Sequence, residues 1–144
     1  MPRPALFAIL CGLSLLLAAG SAEAARISVT IDGLRNARGD VLVALYSKPD
    51  AFPDGDHSDQ HLTVRASIQP ITVVFDGLKP GTYAVGAYHD ENGNGKLDTN
   101  FIGYPVEGYA LSNGIRAVIS RPTFAAASFK IGHGDNKVAL HIKY

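Results

Sequence analysis

The chain has 144 residues, with 13 basic and 13 acidic side chains and a hydrophobic content of 47%. This length fits one small domain better than two. The formal net charge of zero provides no positive field that would attract a polyanion, so we expect no nucleic-acid partner. It also leaves no charge excess of the kind that keeps chains disordered.

The N-terminal segment has the features of a secretory signal peptide. Arg3 precedes an uncharged apolar stretch over residues 5–19, and small residues stand at Ala22 and Ala24. We therefore predict a signal peptide over residues 1–24, cleavage after Ala24 and a periplasmic or extracellular location. The alternative is an uncleaved anchor, but a spanning helix needs about 20 apolar residues. We expect no transmembrane segment after cleavage.

The single cysteine, Cys11, lies inside this predicted signal. Leu10 precedes it where a lipoprotein signal has a small residue, so we do not expect lipid attachment. The exported domain would then contain no cysteine and no disulfide. Its loops must be held by the core or by a bound metal.

Apolar residues recur at every second position along most of the remaining chain, which predicts strands. The predicted strands cover residues 27–31, 41–46, 62–68, 71–75, 83–87, 127–131 and 138–142. Short strands with one apolar face each are usually buried by stacking two sheets. We therefore predict an all-β fold, a seven-stranded antiparallel β-sandwich of the immunoglobulin-like or transthyretin-like type. It forms a single domain over residues 25–144, with one long ordered loop.

Residues 52–61 interrupt the strand pattern with five side chains that can bind metals: Asp54, Asp56, His57, Asp59 and His61. The two histidines would share a face only on a helix, and Pro53 and Gly55 disfavour one. A transition-metal site is one hypothesis for this segment. A solvated acidic loop is the other.

Residues 89–123 form a second interruption, which is long for a connection in a compact domain. Its first part, HDENGNGKLD, places oxygen-bearing side chains at alternate positions, with glycines that permit a sharp bend. This spacing predicts a Ca²⁺ site with six contributors: Asp90, Asn92, Asn94, the Lys96 carbonyl, Asp98 and, from further along the chain, Glu107. The alternative is a pair of Asn-Gly turns that are ordered by their own hydrogen bonds.

The calcium prediction does not extend to an EF-hand. Phe101 occupies the twelfth position, where an EF-hand has a bidentate glutamate, and no flanking helices are predicted. With few carboxylates among the ligands, the affinity is expected to be in the weak range of extracellular modules, about 10⁻⁵ to 10⁻³ M.

The motifs PGTYAV, HDENGNGKLD and IGYPVEGYALSN occur in this order along the chain. Together they resemble the bacterial secreted family known as domain of unknown function 2141. The residues that carry the later part of the resemblance are Gly103, Pro105, Glu107, Gly108, Ser112 and Asn113. Ala110 and Leu111 depart from the glycine and phenylalanine expected there. The resemblance implies a periplasmic or surface β-sandwich with a structured loop after the tyrosine strand, and no established activity.

Aromatic and apolar residues gather in the same long loop, which indicates a possible binding surface. We expect this surface to include Phe101, Tyr104, Tyr109 and Leu111 and to bind a glycan or a peptide. The alternative is that these side chains only pack the loop against one end of the sandwich. An envelope protein is a further possible partner.

Enzymatic residue types are also present in the loop region. His89, Glu107 and Ser112 occur in hydrolytic sites, but no G-x-S-x-G motif surrounds Ser112. The chain also lacks the Tyr-Arg-Gly-Ser ending of the transthyretin-like hydrolases. We therefore predict an exported, non-catalytic β-sandwich module with no catalytic residues. The alternative is a small periplasmic hydrolase that uses the region from His89 to Glu107.

Overall fold

The structure is a computed structural model that describes residues 23–116 and 120–144. The predicted signal peptide lies outside the described residues, apart from Glu23 and Ala24. Within the described ranges, no helix has the length and apolar character needed to span a bilayer.

Eight strands in two sheets form the described part of the chain, which confirms the predicted all-β sandwich. The strands are β1 (Ala25–Asp32), β2 (Asp40–Tyr46), β3 (Gln60–Arg65), β4 (Ile71–Leu78), β5 (Gly81–Asp90), β6 (Tyr109–Leu111), β7 (Phe129–Ile131) and β8 (Gly134–His141). The first sheet has the order β4-β1-β8. The second has the order β3-β2-β5-β6, and β7 pairs with the start of β5.

Short helical segments lie in the connections. Among the described residues, three are 3-10 turns, at Pro49–Ala51, Gly55–His57 and Ser112–Gly114, and one is a single α-helical turn, α1 (Phe124–Ala127). The helix α1 replaces the beginning of the strand predicted over residues 127–131. The Thr123 side chain caps it by accepting a hydrogen bond from the Ala126 N–H at 3.3 Å.

One pairing differs from the predicted antiparallel arrangement, because β1 and β8 run parallel along their full length. The chain leaves β7 in the second sheet and enters β8 in the first sheet after only Gly132 and His133. This short crossing between sheets, rather than a hairpin within one sheet, sets the direction of β8. Alternation of apolar residues identifies a strand but carries no information on its direction.

The sequence did not predict β6. Its three residues are all buried, so they show no alternation between apolar and polar positions. Both its faces are covered, because Ala110 packs in the core between the sheets while Tyr109 and Leu111 pack in a second apolar cluster. A strand buried on both faces is expected to read as a continuous apolar run.

The main core fills the space between the two sheets. Its fully buried large side chains come from alternate positions of the strands: Ile27, Val29 and Ile31 from β1, Val41, Val43 and Leu45 from β2, Phe75 from β4, Val85 from β5 and Leu140 from β8. This alternation is the physical basis of the predicted sandwich.

A second apolar cluster covers part of the outer face of the second sheet. It consists of Tyr46, Phe52, Ala84, Tyr109, Leu111 and Ala127. The Phe52 ring meets the rings of Tyr46 and Phe124 edge to face, at centroid distances of 5.2 and 6.2 Å. The loops after β2 and β6 are therefore fastened over the second sheet, and they leave the rest of its outer face between them.

The core assignment predicts unequal effects of two neighbouring substitutions in β4. Phe75 is buried, whereas Val74 is 44% exposed on the other face of the strand. Phe75→Ala should lower the free energy of unfolding by about 3–5 kcal/mol, because it removes buried surface and leaves a cavity. Val74→Ala should change it by about 0.5 kcal/mol or less. Urea unfolding monitored by circular dichroism measures both, and equal effects would contradict this core.

Candidate functional site

An open groove of about 1150 Å³ lies on the outer face of the second sheet. Its floor is formed by outward-facing residues of three strands: Leu42 and Ala44 of β2, His61 and Thr63 of β3, and Gly86 and Tyr88 of β5. Three connecting segments, residues 53–56, 95–105 and 120–122, contribute the walls. The alternation that sends Val41, Val43 and Val85 into the core places their neighbours on this floor.

Tyr88 joins the floor of the groove to one of its walls. Its hydroxyl donates a hydrogen bond to the carbonyl of Gly95 at 2.9 Å. Burial, with smaller contributions from nearby carboxylates, raises the pKa of Tyr88 to about 12. The phenol therefore keeps its proton at neutral pH and remains a donor to the wall.

The wall that begins with residues 90–98 is ordered by Asp90, which is 2% exposed. One carboxylate oxygen accepts hydrogen bonds from the N–H groups of Gly93 and Asn94, at 2.8 and 3.1 Å. The other accepts from the N–H of Gly95 at 2.7 Å. Gly93 and Gly95 have positive φ angles of 73° and 75°, which glycine adopts without strain. Asp90 thus holds the tight loop through its backbone.

The other predicted calcium ligands of this loop converge on Asp98. The side-chain amides of Asn92 and Asn94 donate to its two carboxylate oxygens, at 2.6 and 2.9 Å. Their carbonyl oxygens accept from the backbone, that of Asn92 from Asn94 and that of Asn94 from Lys96. This is the self-ordered arrangement considered as the alternative from sequence. Calcium binding stays a prediction.

Glu107, the predicted sixth calcium ligand, closes the base of the same loop. It is 7% exposed. Its two carboxylate oxygens accept hydrogen bonds from the N–H groups of Glu91 and Asp98, each at 3.1 Å. One side chain therefore joins both ends of the loop. Within residues 23–116 and 120–144, no three acidic, histidine or cysteine side chains form a group that could hold a metal ion.

The predicted aromatic surface separates into two parts. Tyr104, Tyr109 and Leu111 line the groove, although Tyr109 and Leu111 are themselves mostly buried in β6. The guanidinium of Arg116 lies over the Tyr109 ring at 4.9 Å. Phe101 does not line the groove and is 98% exposed. The alternative considered from sequence, that these side chains only pack the loop against one end of the sandwich, therefore does not apply to Phe101.

The opposite wall contains the segment considered as a transition-metal site. The Asp54 carboxylate lies 3.0 Å from Nδ1 of His57 and accepts a hydrogen bond from the N–H of Asp56. These two contacts, the His57 contact first, lower the pKa of Asp54. His61 lies on β3 and lines the groove. The segment thus contributes Asp54, Asp56 and His61 to the groove.

The residues considered for hydrolysis have structural partners. His89 is fully buried; its Nε2 lies 2.7 Å from the Arg38 carbonyl and its Nδ1 lies 2.5 Å from the Tyr144 hydroxyl. Because a carbonyl only accepts, Nε2 is the donor in the first of these bonds. Ser112 accepts from the Val85 N–H at 3.0 Å and donates to the Ala127 carbonyl at 2.6 Å. These bonds fasten β5 to neighbouring segments.

Sequence reasoning missed Glu91, which follows β5 and lies among three donors. Its carboxylate oxygens lie 2.6 Å from Nη2 of Arg35 and 3.2 Å from Nη2 of Arg38. The side-chain amide of Asn36 donates to it at 2.8 Å. Burial of Glu91 opposes its charge, but the bonds from Asn36, Arg35 and Arg38 outweigh burial and lower its pKa to about 2. These partners lie more than 50 residues before Glu91 in the sequence, so no local sequence pattern pointed to the cluster.

Comparison with known protein families gives a match. The family described as "Uncharacterized protein conserved in bacteria (DUF2141)" matches residues 29–139. The chain belongs to this family. The match runs from within β1 to within β8 and includes the residues that line the groove. Searches of curated proteins and of solved structures found no match. The family description names no catalytic activity.

The cluster of Glu91 with Arg35, Asn36 and Arg38 predicts how the stability of the fold changes with pH. Because the pKa of Glu91 is about 2 in the folded chain, its ionised form stabilises the fold fully above its ordinary pKa of about 4.3, and this contribution is lost as the pH falls toward 2. Glu91→Gln should therefore lower the free energy of unfolding at pH 7 by about 1–3 kcal/mol. The deficit should narrow between pH 4 and pH 2.

Urea unfolding of both proteins at several pH values measures this deficit. Asp76→Asn is the control, because the Asp76 pair with Arg26 is exposed on both sides and such pairs contribute about 0–1 kcal/mol. A Glu91→Gln deficit that stays constant down to pH 2 would contradict the role given to the ionised carboxylate.

Proposed function

We propose that this protein is an exported, non-catalytic module of the cell envelope that binds an extended glycan in the groove on its second sheet. The single observation that carries this proposal is the groove itself, which has a volume of about 1150 Å³. Ligand pockets of this size accommodate ligands larger than a single sugar unit. The secretory features of residues 1–24 support a location outside the cytoplasm.

The composition of the groove supports a neutral, hydroxyl-rich ligand. Tyr88 and Tyr104 present aromatic surface, which packs against the apolar faces of sugar rings. Around them stand carboxylates at Asp54 and Asp56 and cations at Lys96 and Arg121. Groups of both signs can accept from and donate to hydroxyl groups, and they give the groove no strong preference for a charged ligand.

The pairing of the floor strands favours a glycan over a peptide. Extended peptides commonly bind by adding a strand to a free sheet edge. The floor strand β2 lies between β3 and β5, and β5 lies between β2 and the strands β6 and β7. The main-chain groups of β2 and β5 are therefore already paired. A peptide could add a strand at the edge of β3, which borders the floor, but not along β2 or β5.

The hydrolase alternative has less support. The side chains that it requires, His89, Glu107 and Ser112, are buried and bonded to other parts of the fold. A catalytic group must reach the substrate in a plausible pose, and the groove is lined by none of these three residues.

Blocking the groove tests the proposal. Thr63 is exposed on the groove floor, and Thr72 is exposed on the outer face of the first sheet. The purified protein would be applied to an array that carries glucose and N-acetylglucosamine oligosaccharides, and the affinity for each retained probe measured by calorimetry. Thr63→Trp should weaken binding by at least about tenfold, which corresponds to about 1.4 kcal/mol.

Thr72→Trp is the matched control, because it adds the same bulk to an exposed strand threonine on the opposite side of the molecule. Its affinity should equal that of the parent protein. Equal loss in both variants would contradict binding in the groove. Retention of peptides from a parallel peptide array, with no retained glycan, would contradict the proposed ligand class.

We also propose that Ca²⁺ strengthens the loop wall over residues 90–98. The convergence of Asn92 and Asn94 on the Asp98 carboxylate supports this proposal, since all three carry oxygen ligands of the kind that calcium prefers. Binding would require both amide groups to rotate, so that their oxygens rather than their nitrogens face the ion. Asp90 and the Lys96 carbonyl are the other proposed loop ligands, and Glu107 is the sixth.

A calcium titration of the melting temperature tests this second proposal. At calcium one hundred times above the dissociation constant, the gain in stability should be about 2.7 kcal/mol, a shift of several degrees. The gain should be absent in Asp98→Asn, which loses a ligand charge. Magnesium at the same concentration serves as the ion control. An unchanged melting temperature in millimolar calcium would contradict calcium binding and would mean that the loop is ordered by its own hydrogen bonds alone.

A further inference from the structure

Residues 99–106, which we call the apolar tip, connect the loop over residues 90–98 to the segment before β6. Their sequence, TNFIGYPV, contains no charged residue. Phe101 is 98% exposed and Ile102 is 73% exposed, and Tyr104 and Val106 are exposed as well. Large apolar side chains are scattered singly on most protein surfaces, whereas a contiguous exposed group marks an interaction site.

The apolar tip is an ordered loop held by Asn100, through both its side chain and its backbone. The Asn100 carboxamide oxygen accepts hydrogen bonds from the N–H groups of Ile102 and Tyr104, at 3.1 and 3.0 Å. The Asn100 N–H donates to the Tyr104 carbonyl at 2.8 Å, and the Gly103 N–H donates to the Asn100 carbonyl at 2.9 Å. These internal bonds present Phe101 and Ile102 outward in a fixed turn.

The same bonds reduce the cost of moving the apolar tip into an apolar medium. A backbone N–H without a partner costs several kcal/mol in hydrocarbon and so opposes insertion. In the tip, the N–H groups of residues 100, 102, 103 and 104 have partners within the tip, that of Val106 donates to Asp98, and Pro105 has none to satisfy. These bonds cover five of the seven N–H groups of the tip.

The size of the apolar tip decides among its possible partners. A stable protein interface uses about 800 Å² and about 20–30 residues on each side. The tip has eight residues from Thr99 to Val106, too few to hold a second copy of the chain. A bilayer interface requires no complementary pocket and accepts aromatic and aliphatic side chains at the boundary of the acyl chains.

We infer that the apolar tip inserts into the interfacial layer of a lipid bilayer, with Phe101 and Ile102 as the inserted side chains. The absence of charge in the tip and the zero net charge of the chain make the attraction apolar rather than electrostatic. Two side chains bury less surface than one acyl chain, whose own membrane binding is marginal and reversible. Association is therefore weak, rapidly reversible and insensitive to salt.

The chain contains no tryptophan, so Phe101→Trp provides a single reporter at the tip. The protein is recovered from the periplasm of an expression host and its N-terminus verified by mass spectrometry, because an uncleaved apolar N-terminal stretch would bind lipid by itself. On titration with phosphatidylcholine vesicles, the tryptophan emission should move to shorter wavelength and saturate. Brominated acyl chains should quench it, and added salt should not change the partition coefficient.

Val74→Trp is the control, because Val74 is exposed on the outer face of the first sheet, and its emission should not respond to vesicles. Adding Ile102→Asp to the Phe101→Trp protein should lower the partition coefficient by at least about tenfold, since a charge at this depth opposes insertion.

Three results would overturn the inference. One is no spectral response of Phe101→Trp at saturating lipid, and another is an equal response of Val74→Trp. The third is a shift without vesicles that grows with protein concentration, which would assign the tip to contacts between copies of the chain.

Discussion

Two buried carboxylates near the end of β5, those of Asp90 and Glu107, require hydrogen-bond donors, and the loop that forms one wall of the groove supplies them. Asp90 and Glu107 are almost inaccessible to water, and a buried charge without partners is very costly. Each is matched by backbone N–H groups: those of the loop interior bond to Asp90, and those of Glu91 and Asp98 bond to Glu107. The carboxylates therefore fix the path of the chain over residues 90–98, and the apolar tip and β6 begin from that fixed path.

A second set of polar contacts ties the C-terminus to the same end of the sandwich. The Tyr144 hydroxyl bonds to His89 and accepts from the Arg35 N–H, while the Arg35 guanidinium lies 4.2 Å above the Tyr144 ring. Arg35 also pairs with Glu91. Gly108 is closely covered by Tyr144, since a Cβ there would lie 2.5 Å from the ring. Tyr144 thus joins β5, Arg35 and Gly108 at this end of the sandwich.

The sequence predicted the sandwich because its core strands alternate clearly, as in β1, where Ile27, Val29 and Ile31 are buried. It did not predict β6, where burial of Tyr109 to Leu111 on both faces removes the alternation. It located the loop at Asp90 from the spacing of its oxygen-bearing residues, but spacing could not say whether those oxygens face an ion or the backbone. The Glu91 cluster and the groove bring together residues far apart in the chain, and local patterns carry no information on such contacts.

The groove and the apolar tip share one structural element and one proposed contact residue, Ile102. Ile102 and Tyr104 line the groove, whereas Phe101 does not. Thr63 belongs to β3 on the floor and lies outside the tip. Lipid contact at the tip would therefore hold the groove close to a membrane without filling it, because the floor residues stay on the sheet. One wall could carry both proposed contacts, because its backbone is fixed by Asp90, Glu107 and Asn100 and Phe101 points away from the groove that Tyr104 lines.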